Sequence, residues 1–177
     1  HAAIVADVFE PDRRDRRQKD EIGQDEIGQD EIGQEPSEQG LIAERYQIEE
    51  PIGKGAFGVV YRATDLELGR TVALKLRRDV DNDALARSQQ WIEEARLAAR
   101  LEHPAIVSVF DAGTQNDGTS YLVFQYIEGQ TLREFVRTEK PQTLVLTQLF
   151  AEIADGLAYA HQRGCVHRDL KPENVLI

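Results

Sequence analysis

The sequence is poor in the features that build disulfide frameworks, metal sites and membrane spans. Its one cysteine, Cys165, excludes an internal disulfide and fits a reducing compartment. The four histidines and this cysteine show no metal-ligand spacing. No apolar run approaches the ~18 to 20 residues that a helix needs to cross a bilayer. These residues therefore predict no membrane segment in this chain, while an anchor beyond Ile177 is left open.

A surplus of basic residues is also lacking. The net charge is −11, and residues 7–38 hold 12 acidic and 5 basic residues. Nucleic acid is bound by an excess of Lys and Arg, so we expect no nucleic-acid partner. Residues 20–34 are three copies of DEIGQ, and one isoleucine per copy buries too little surface to offset chain entropy. We expect residues 1–40 to form a disordered acidic tail.

From residue 41 the pattern indicates an α+β domain. Short segments rich in Val, Ile, Tyr and Thr predict five strands; they are RYQIEEPIG, GVVYRATD, RTVALKLR, IVSVFDAG and SYLVFQYI. The spacing of Trp91, Ala95 and Leu101 predicts an amphipathic helix over 84–101. Two more helices are predicted, over 131–137 and 143–162, and the second carries an apolar stripe that needs a partner: Leu146, Leu149, Phe150, Ile153, Leu157 and His161.

The stretch GKGAFGVVY places Gly53, Gly55 and Gly58 in a GxGxxG spacing between two predicted strands. An ordinary tight hairpin and a dinucleotide site share this spacing. A dinucleotide fingerprint opens a helix, whereas Gly58 leads into a strand, and no GK[ST] follows as a P-loop requires. The remaining interpretation is a hairpin whose backbone N–H groups lie over phosphates.

A lysine, Lys75, follows in the apolar segment VALK. Burying its charge costs free energy unless it is paired. Glu94 on the predicted helix is the candidate partner, with Glu93 as the competitor. The alternative of a surface lysine on an edge strand stays open.

The last polar cluster, HRDLKPEN, spans residues 167–174. Asp169 can accept a proton from a hydroxyl, Lys171 can neutralise phosphate charge, and the Asn174 amide oxygen suits a hard metal ion. The alternative is a polar loop with an incidental HRD. Three such groups within six residues favour a catalytic site over an incidental polar loop.

From Tyr46 to Ile177 these motifs, in this order, resemble the eukaryotic-like (Hanks-type) protein kinases, and the surrounding sequence resembles their bacterial serine/threonine branch. The resemblance implies a two-lobed α+β fold, with a small lobe over 41–127 that contains the Gly-rich loop and hinge, and the start of the large lobe over 128–177. It implies transfer of the ATP γ-phosphate to Ser and Thr hydroxyls of protein substrates, with Mg²⁺, in the cytoplasm.

The resemblance also implies roles for individual residues. Lys75, paired with Glu94, would hold the α and β phosphates, and Asp169 would orient the hydroxyl and accept its proton. Lys171 would stabilise the γ-phosphate and Asn174 would bind Mg²⁺. The loop glycines Gly53, Gly55 and Gly58 would lie over the phosphates. Adenine would be covered from above by Ile52, Val60 and Ala73 and from below by Leu176, with Phe124 at the back as gatekeeper. The hinge backbone of Gln125 and Ile127 would contact the adenine edge.

One expected part of the family pattern is missing from these residues. The second metal ligand, the aspartate of a DFG motif, is expected beyond Ile177. We therefore expect residues 1–177 to be a fragment, truncated after the catalytic loop and inactive alone. Two alternatives remain, a binding-only pseudokinase or scaffold and a small-molecule phosphotransferase of the same fold.

Overall fold

The computed structural model describes residues 1–5, 9–11, 40–55, 58–77 and 84–177. The DEIGQ repeats at 20–34 lie outside the described residues. The elements, in chain order, are β1 (Ala3–Ile4), β2 (Phe9–Pro11), β3 (Leu41–Ile42), β4 (Tyr46–Gly55), β5 (Gly58–Asp65), β6 (Arg70–Arg77), α1 (Ala84–Ala98), β7 (Val109–Thr114), β8 (Ser120–Gln125), α2 (Leu132–Glu139), α3 (Thr143–Gln162), β9 (Cys165–His167), a 3₁₀ turn (Pro172–Asn174) and β10 (Val175–Leu176).

The described residues contain a six-stranded antiparallel sheet with the order β3-β4-β5-β6-β8-β7. The five predicted strands are all present, and β3 adds a sixth. Two residues are too few to show the alternation by which a strand is recognised, so the sequence pattern missed β3. The predicted α+β architecture is confirmed.

The two faces of this sheet bury different clusters. Alternating residues of β5 and β6 pack on one face, among them Tyr61, Ala63, Val72 and Leu74. The other face packs against α1 through Trp91, Ala95, Leu122 and Phe124. The helical face predicted from Trp91 and Ala95 is therefore buried, as expected for an amphipathic helix with 3.6 residues per turn.

The helix α3 begins at Thr143 and buries one stripe, formed by Leu149, Ile153, Gly156 and Ala160. The prediction that Phe150 lies on this stripe is wrong, because the stripe is narrower than predicted and Phe150 is 58% exposed. His161, placed on the same stripe by the sequence, is exposed as well. Among the described residues, no helix combines the length and apolarity needed to span a membrane.

The first residues of the chain differ from the disordered tail predicted over 1–40. Strand β1 pairs antiparallel with β10, and β2 pairs antiparallel with β9. Ala2 and Ile4 are fully buried in the same cluster as Leu149 and Ile153. The prediction is corrected for residues 1–5 and 9–11, whose partners lie at the other end of the sequence. Residues 6–8 and 12–39 lie outside the described residues.

Candidate functional site

A cavity of about 660 Å³ lies where the glycine-rich hairpin, β6, the end of β8 with the segment after it, and the loop 168–174 meet. From the family resemblance, this loop is called the catalytic loop below. This volume is typical of small-molecule sites. Predicted site residues from all four parts line it: Ile52, Gly53, Gly58, Val60, Ala73, Lys75, Phe124, Gln125, Ile127, Asp169, Lys171, Asn174 and Leu176. The structure thus brings distant sequence motifs together around one cavity, while the role of each residue stays a prediction.

The glycine-rich hairpin connects β4 and β5, whose last pair is Gly55 opposite Gly58. Gly58 has a φ of 119°, and a Cβ atom there would lie 2.1 Å from the carbonyl oxygen of Leu76. No other residue type fits this position without moving backbone. At Gly53 the nearest atom to an added Cβ would be the Cβ of Val60, at 3.9 Å, so this glycine leaves open space beside the cavity.

Strand β6 presents Lys75 to the cavity by simple alternation. Its neighbours Leu74 and Leu76 are buried in the sheet core, 0% and 5% exposed, so Ala73 and Lys75 occupy the opposite face. Lys75 pairs in register with Val60 on one side and Leu122 on the other. The alternative of a surface lysine on an edge strand is therefore excluded, because β6 is an interior strand.

The two candidate glutamates of α1 have different surroundings. Glu93 is exposed and forms an ion pair with Arg96 one turn away. Glu94 is half-buried, and its Oε1 atom accepts a hydrogen bond from Gln90 Nε2 at 2.8 Å. This difference favours Glu94 as the inward carboxylate. Glu94 is not among the described residues that line the cavity, so its pairing with Lys75 stays a prediction.

Two polar side chains of the catalytic loop, those of Lys171 and Asn174, contact Asp169. Lys171 Nζ lies 2.5 Å from Asp169 Oδ2. The Asn174 amide nitrogen donates to the Asp169 main-chain oxygen at 2.7 Å and to Oδ2 at 3.2 Å. The 3₁₀ turn at Pro172–Asn174 produces this convergence, since proline fixes the backbone at its start and Asn174 N–H donates to the Lys171 carbonyl at 2.9 Å.

These contacts set the charge state of Asp169 and determine which atom of Asn174 can bind a ligand. The hydrogen bond from Lys171 lowers the pKa of Asp169, and Asn174 contributes in the same direction. Asp169 is therefore a carboxylate at neutral pH and can accept a proton. Because the Asn174 amide nitrogen is committed to Asp169, its Oδ1 atom is the one suited to a hard cation.

Several lining residues were not predicted, among them Val5, Val107, Thr131 and Glu134. Thr131 and Glu134 form a capping box at the start of α2, with Thr131 N–H donating to Glu134 Oε2 at 3.0 Å and Glu134 N–H donating to Thr131 Oγ1 at 3.2 Å. The sequence spacing T-x-x-E is typical of a capping box and could have located this part of the cavity lining. No local signal marks Val5.

Residues 46–177 match the protein kinase domain family. The chain belongs to this family. It is 41% identical over 140 residues to serine/threonine-protein kinase PrkC of Bacillus subtilis, covering 77% of this chain and 21% of PrkC. It is 40% identical over 141 residues to serine/threonine-protein kinase PknB of Mycobacterium tuberculosis, covering 77% of this chain and 22% of PknB. The chain thus matches about a fifth of the length of these relatives.

The fold comparison agrees with the family match. The crystal structure of the Mycobacterium tuberculosis PknI kinase domain superposes on this chain with a TM-score of 0.65 and 29% identity, covering 81% of this chain and 59% of that chain. The predicted resemblance to Hanks-type kinases and their bacterial serine/threonine branch is confirmed. The predicted lobe boundaries, 41–127 and 128–177, stay predictions.

Proposed function

We propose that this protein is a serine/threonine protein kinase that transfers the γ-phosphate of ATP to Ser and Thr hydroxyls of proteins. The observation that carries the proposal is the convergence of Asp169, Lys171 and Asn174 in one loop, on the same cavity as Lys75. A binding-only scaffold has no physical need for a proton acceptor and a metal ligand at these positions. The names of the bacterial relatives support Ser and Thr as acceptors.

The cavity walls suit a nucleotide. Ile52, Val60 and Ala73 would cover adenine on one side and Leu176 on the other, with Phe124, 4% exposed, closing the back. In the hinge, the carbonyl of Gln125 and the N–H of Ile127 would meet the polar edge of adenine. Apolar faces with a few polar edge contacts are the usual composition of such sites.

The phosphate end of the cavity carries the charged groups. Lys75 would neutralise the α and β phosphates, Lys171 the γ-phosphate, and Asn174 Oδ1 would be a ligand of Mg²⁺. When bound, Mg²⁺ neutralises charge on the phosphate oxygens. The donor set fits this cation, because amide and phosphate oxygens are the hard ligands it prefers.

The proton of the acceptor hydroxyl would pass to the Asp169 carboxylate. As the hydroxyl oxygen forms its bond to the γ-phosphorus, the bond from that phosphorus to the ADP oxygen breaks. The ammonium of Lys171, in contact with Asp169, would stabilise the charge of the transferring group. A cytoplasmic site of action fits ATP as the donor and belongs to the same proposal.

Calorimetric titration of the purified chain with Mg·ATP tests the binding half of the proposal. We expect binding that Lys75→Met weakens strongly and that Asp169→Asn leaves nearly unchanged, since Asp169 acts on the acceptor. Lys140→Met, at the C-terminal end of α2 and away from the cavity, is the control. Absence of ATP binding, or equal binding by Lys75→Met, would contradict the proposal.

Phosphate transfer to a generic basic protein tests the catalytic half. We expect the protein expressed from its complete gene to transfer phosphate to Ser or Thr, and Asp169→Asn to abolish this activity. A complete-gene product whose activity survives Asp169→Asn would refute the proposal. That residues 1–177 alone are inactive stays a prediction, which clear turnover by this chain would overturn.

A further inference from the structure

The start of the chain packs against both flanks of the catalytic loop, although it lies outside the family match at 46–177. In β1, Ala3 is opposite Leu176 and Ile4 opposite Val175, directly after the loop. In β2, Phe9 is opposite His167, directly before it. Residues 1–5 and 9–11, here called the amino-terminal segment, therefore pair with the strand on each side of the loop.

Main-chain hydrogen bonds extend this pairing to the loop itself. Val5 N–H donates to the Asn174 carbonyl at 3.0 Å. Ile4 N–H donates to the Ala105 carbonyl, and Val107 N–H donates to the Ile4 carbonyl, both at 2.8 Å. The segment is thus held between the catalytic loop and residues 105–107 by bonds that do not depend on its side chains.

Burial of Ala2 and Ile4 makes residues 1–5 part of the core. Ile4 is 0% exposed, and its Cδ1 atom lies 3.4 Å from where a Cβ of Gly156 would be, so it fills the space that this glycine leaves on α3. Ala2 is equally buried, and its N–H donates to Glu152 Oε2 at 2.7 Å. Burying two apolar side chains and satisfying their backbone together fix the segment in place.

We propose that the amino-terminal segment is a positioning strand of the nucleotide site, and that Val5 N–H positions Asn174 for its metal-binding role. Asn174 is held at three points: its carbonyl by Val5, its own N–H by the Lys171 carbonyl, and its side-chain amide by Asp169. Val5 also lines the cavity. The inference rests on the proposed function, because it takes Asn174 as a ligand of Mg²⁺.

The test removes the Val5 N–H from the full chain. Val5→Pro has no donor at this position, whereas Val5→Ala keeps the donor and loses most of the side chain. A fluorescent ATP analogue is titrated at a series of Mg²⁺ concentrations and, separately, in EDTA. We expect Val5→Pro to need about five times more Mg²⁺ for half-maximal binding than Val5→Ala, because both variants alter the side chain that lines the cavity and only Val5→Pro loses the hydrogen-bond donor.

The metal-free titration separates positioning from general damage. A positioning role predicts that Val5→Pro and Val5→Ala bind alike in EDTA, because Asn174 acts through the metal. Equal Mg²⁺ requirements for Val5→Pro and Val5→Ala, or weaker binding by Val5→Pro that is the same with and without Mg²⁺, would overturn the proposal.

Amide hydrogen exchange of the wild-type chain gives a second measurement that needs no variant. We expect the Val5 amide to exchange as slowly as that of Asn174, and more slowly still with Mg·ATP, since coupling between two sites is reciprocal. Exchange of Val5 at the rate of an unfolded peptide would overturn the proposal. If Val5 is protected but ATP does not bind, the proposed function fails and the role assigned to Val5 fails with it, whereas the packing of the segment stands.

Discussion

The Lys171 ammonium nitrogen lies 2.5 Å from the Oδ2 atom of Asp169, within the loop that carries the proposed chemistry. Both side chains are nearly half-exposed, at 47% and 45%, so water screens the pair and its contribution to stability is small. Its consequence is chemical, because the contact lowers the pKa of Asp169 and keeps it ionised. Lys171 thus sets the charge state of Asp169.

Replacing Lys171 by Met should raise the pKa of Asp169 toward its ordinary range. The hydrogen bond from Lys171 is the largest cause of the lowered pKa, so its removal makes Asp169 protonate at a higher pH. Titration of the carboxyl carbon by NMR measures this directly. Lys140→Met is the control, and an unchanged or lower pKa in Lys171→Met would show that the contact does not form.

Replacing Asn174 by Ala should weaken ATP binding only when Mg²⁺ is present. The variant loses the amide oxygen assigned to the metal and both hydrogen bonds to Asp169. We expect the Mg²⁺ requirement to rise about tenfold or more, as for other metal-site losses, with metal-free binding nearly unchanged. Asn116→Ala, in the exposed turn between β7 and β8, is the control. An unchanged Mg²⁺ requirement would remove Asn174 from the metal site.

Replacing Gly58 by Ala should destabilise the small lobe. The new Cβ would meet the Leu76 carbonyl oxygen at 2.1 Å, at a φ that other residues rarely adopt. We expect a loss of about 2 kcal/mol or more in the free energy of unfolding, measured by urea denaturation. Gly53→Ala, with its nearest atom at 3.9 Å, should cost far less. Equal losses in the two variants would contradict the close approach of β5 and β6.

The Arg45–Asp65 pair should make stability depend on pH in the acid range. Arg45 Nε and Nη2 donate to the fully buried Asp65 carboxylate at 2.7 and 2.8 Å, and this pairing lowers the pKa of Asp65 to about 2. The folded-state pKa of Asp65 lies below its unfolded-state value of about 3.9. The pair therefore contributes its full stabilisation above about pH 3.9, and this stabilisation is lost as the pH falls through about 2.

Urea denaturation at a series of pH values tests this pair. Asp65→Asn should lose about 3 kcal/mol at neutral pH, as for a broken buried ion pair, and should flatten the acid slope. Glu67→Gln is the control, because Glu67 also contacts Arg45 but is 66% exposed. An acid slope in Asp65→Asn as steep as in wild type would show that other carboxylates cause it.

Local patterns predicted most of the fold and of the site. The segments rich in Val, Ile, Tyr and Thr located β5 and β6, because β-branched and aromatic residues favour strands, whereas the sequence left open which way Lys75 faces. The polar cluster at 167–174 marked the catalytic loop, since Asp169 and Asn174 lie close enough in sequence for a single turn to join them. Such features depend only on neighbouring residues.

The parts that sequence could not predict depend on distant residues. Residues 1–5 contain Ala2, Ala3 and Ile4, which are too few for a periodic signal, and their partners are Val175 and Leu176. The width of the buried stripe on α3 likewise depends on what covers it, which is why Phe150 was misplaced. Tertiary contacts of this kind leave no mark in a short window of sequence.

In the proposed function, the glycine-rich hairpin, Lys75 and the catalytic loop surround one nucleotide. An ATP analogue with an amine-reactive group at its phosphate end tests it, with labelled lysines located by mass spectrometry. We expect labelling of Lys75 and Lys171 that excess Mg·ATP prevents, with Lys140 unlabelled. Labelling spread evenly over the lysines, Lys140 included, and unaffected by Mg·ATP would contradict it.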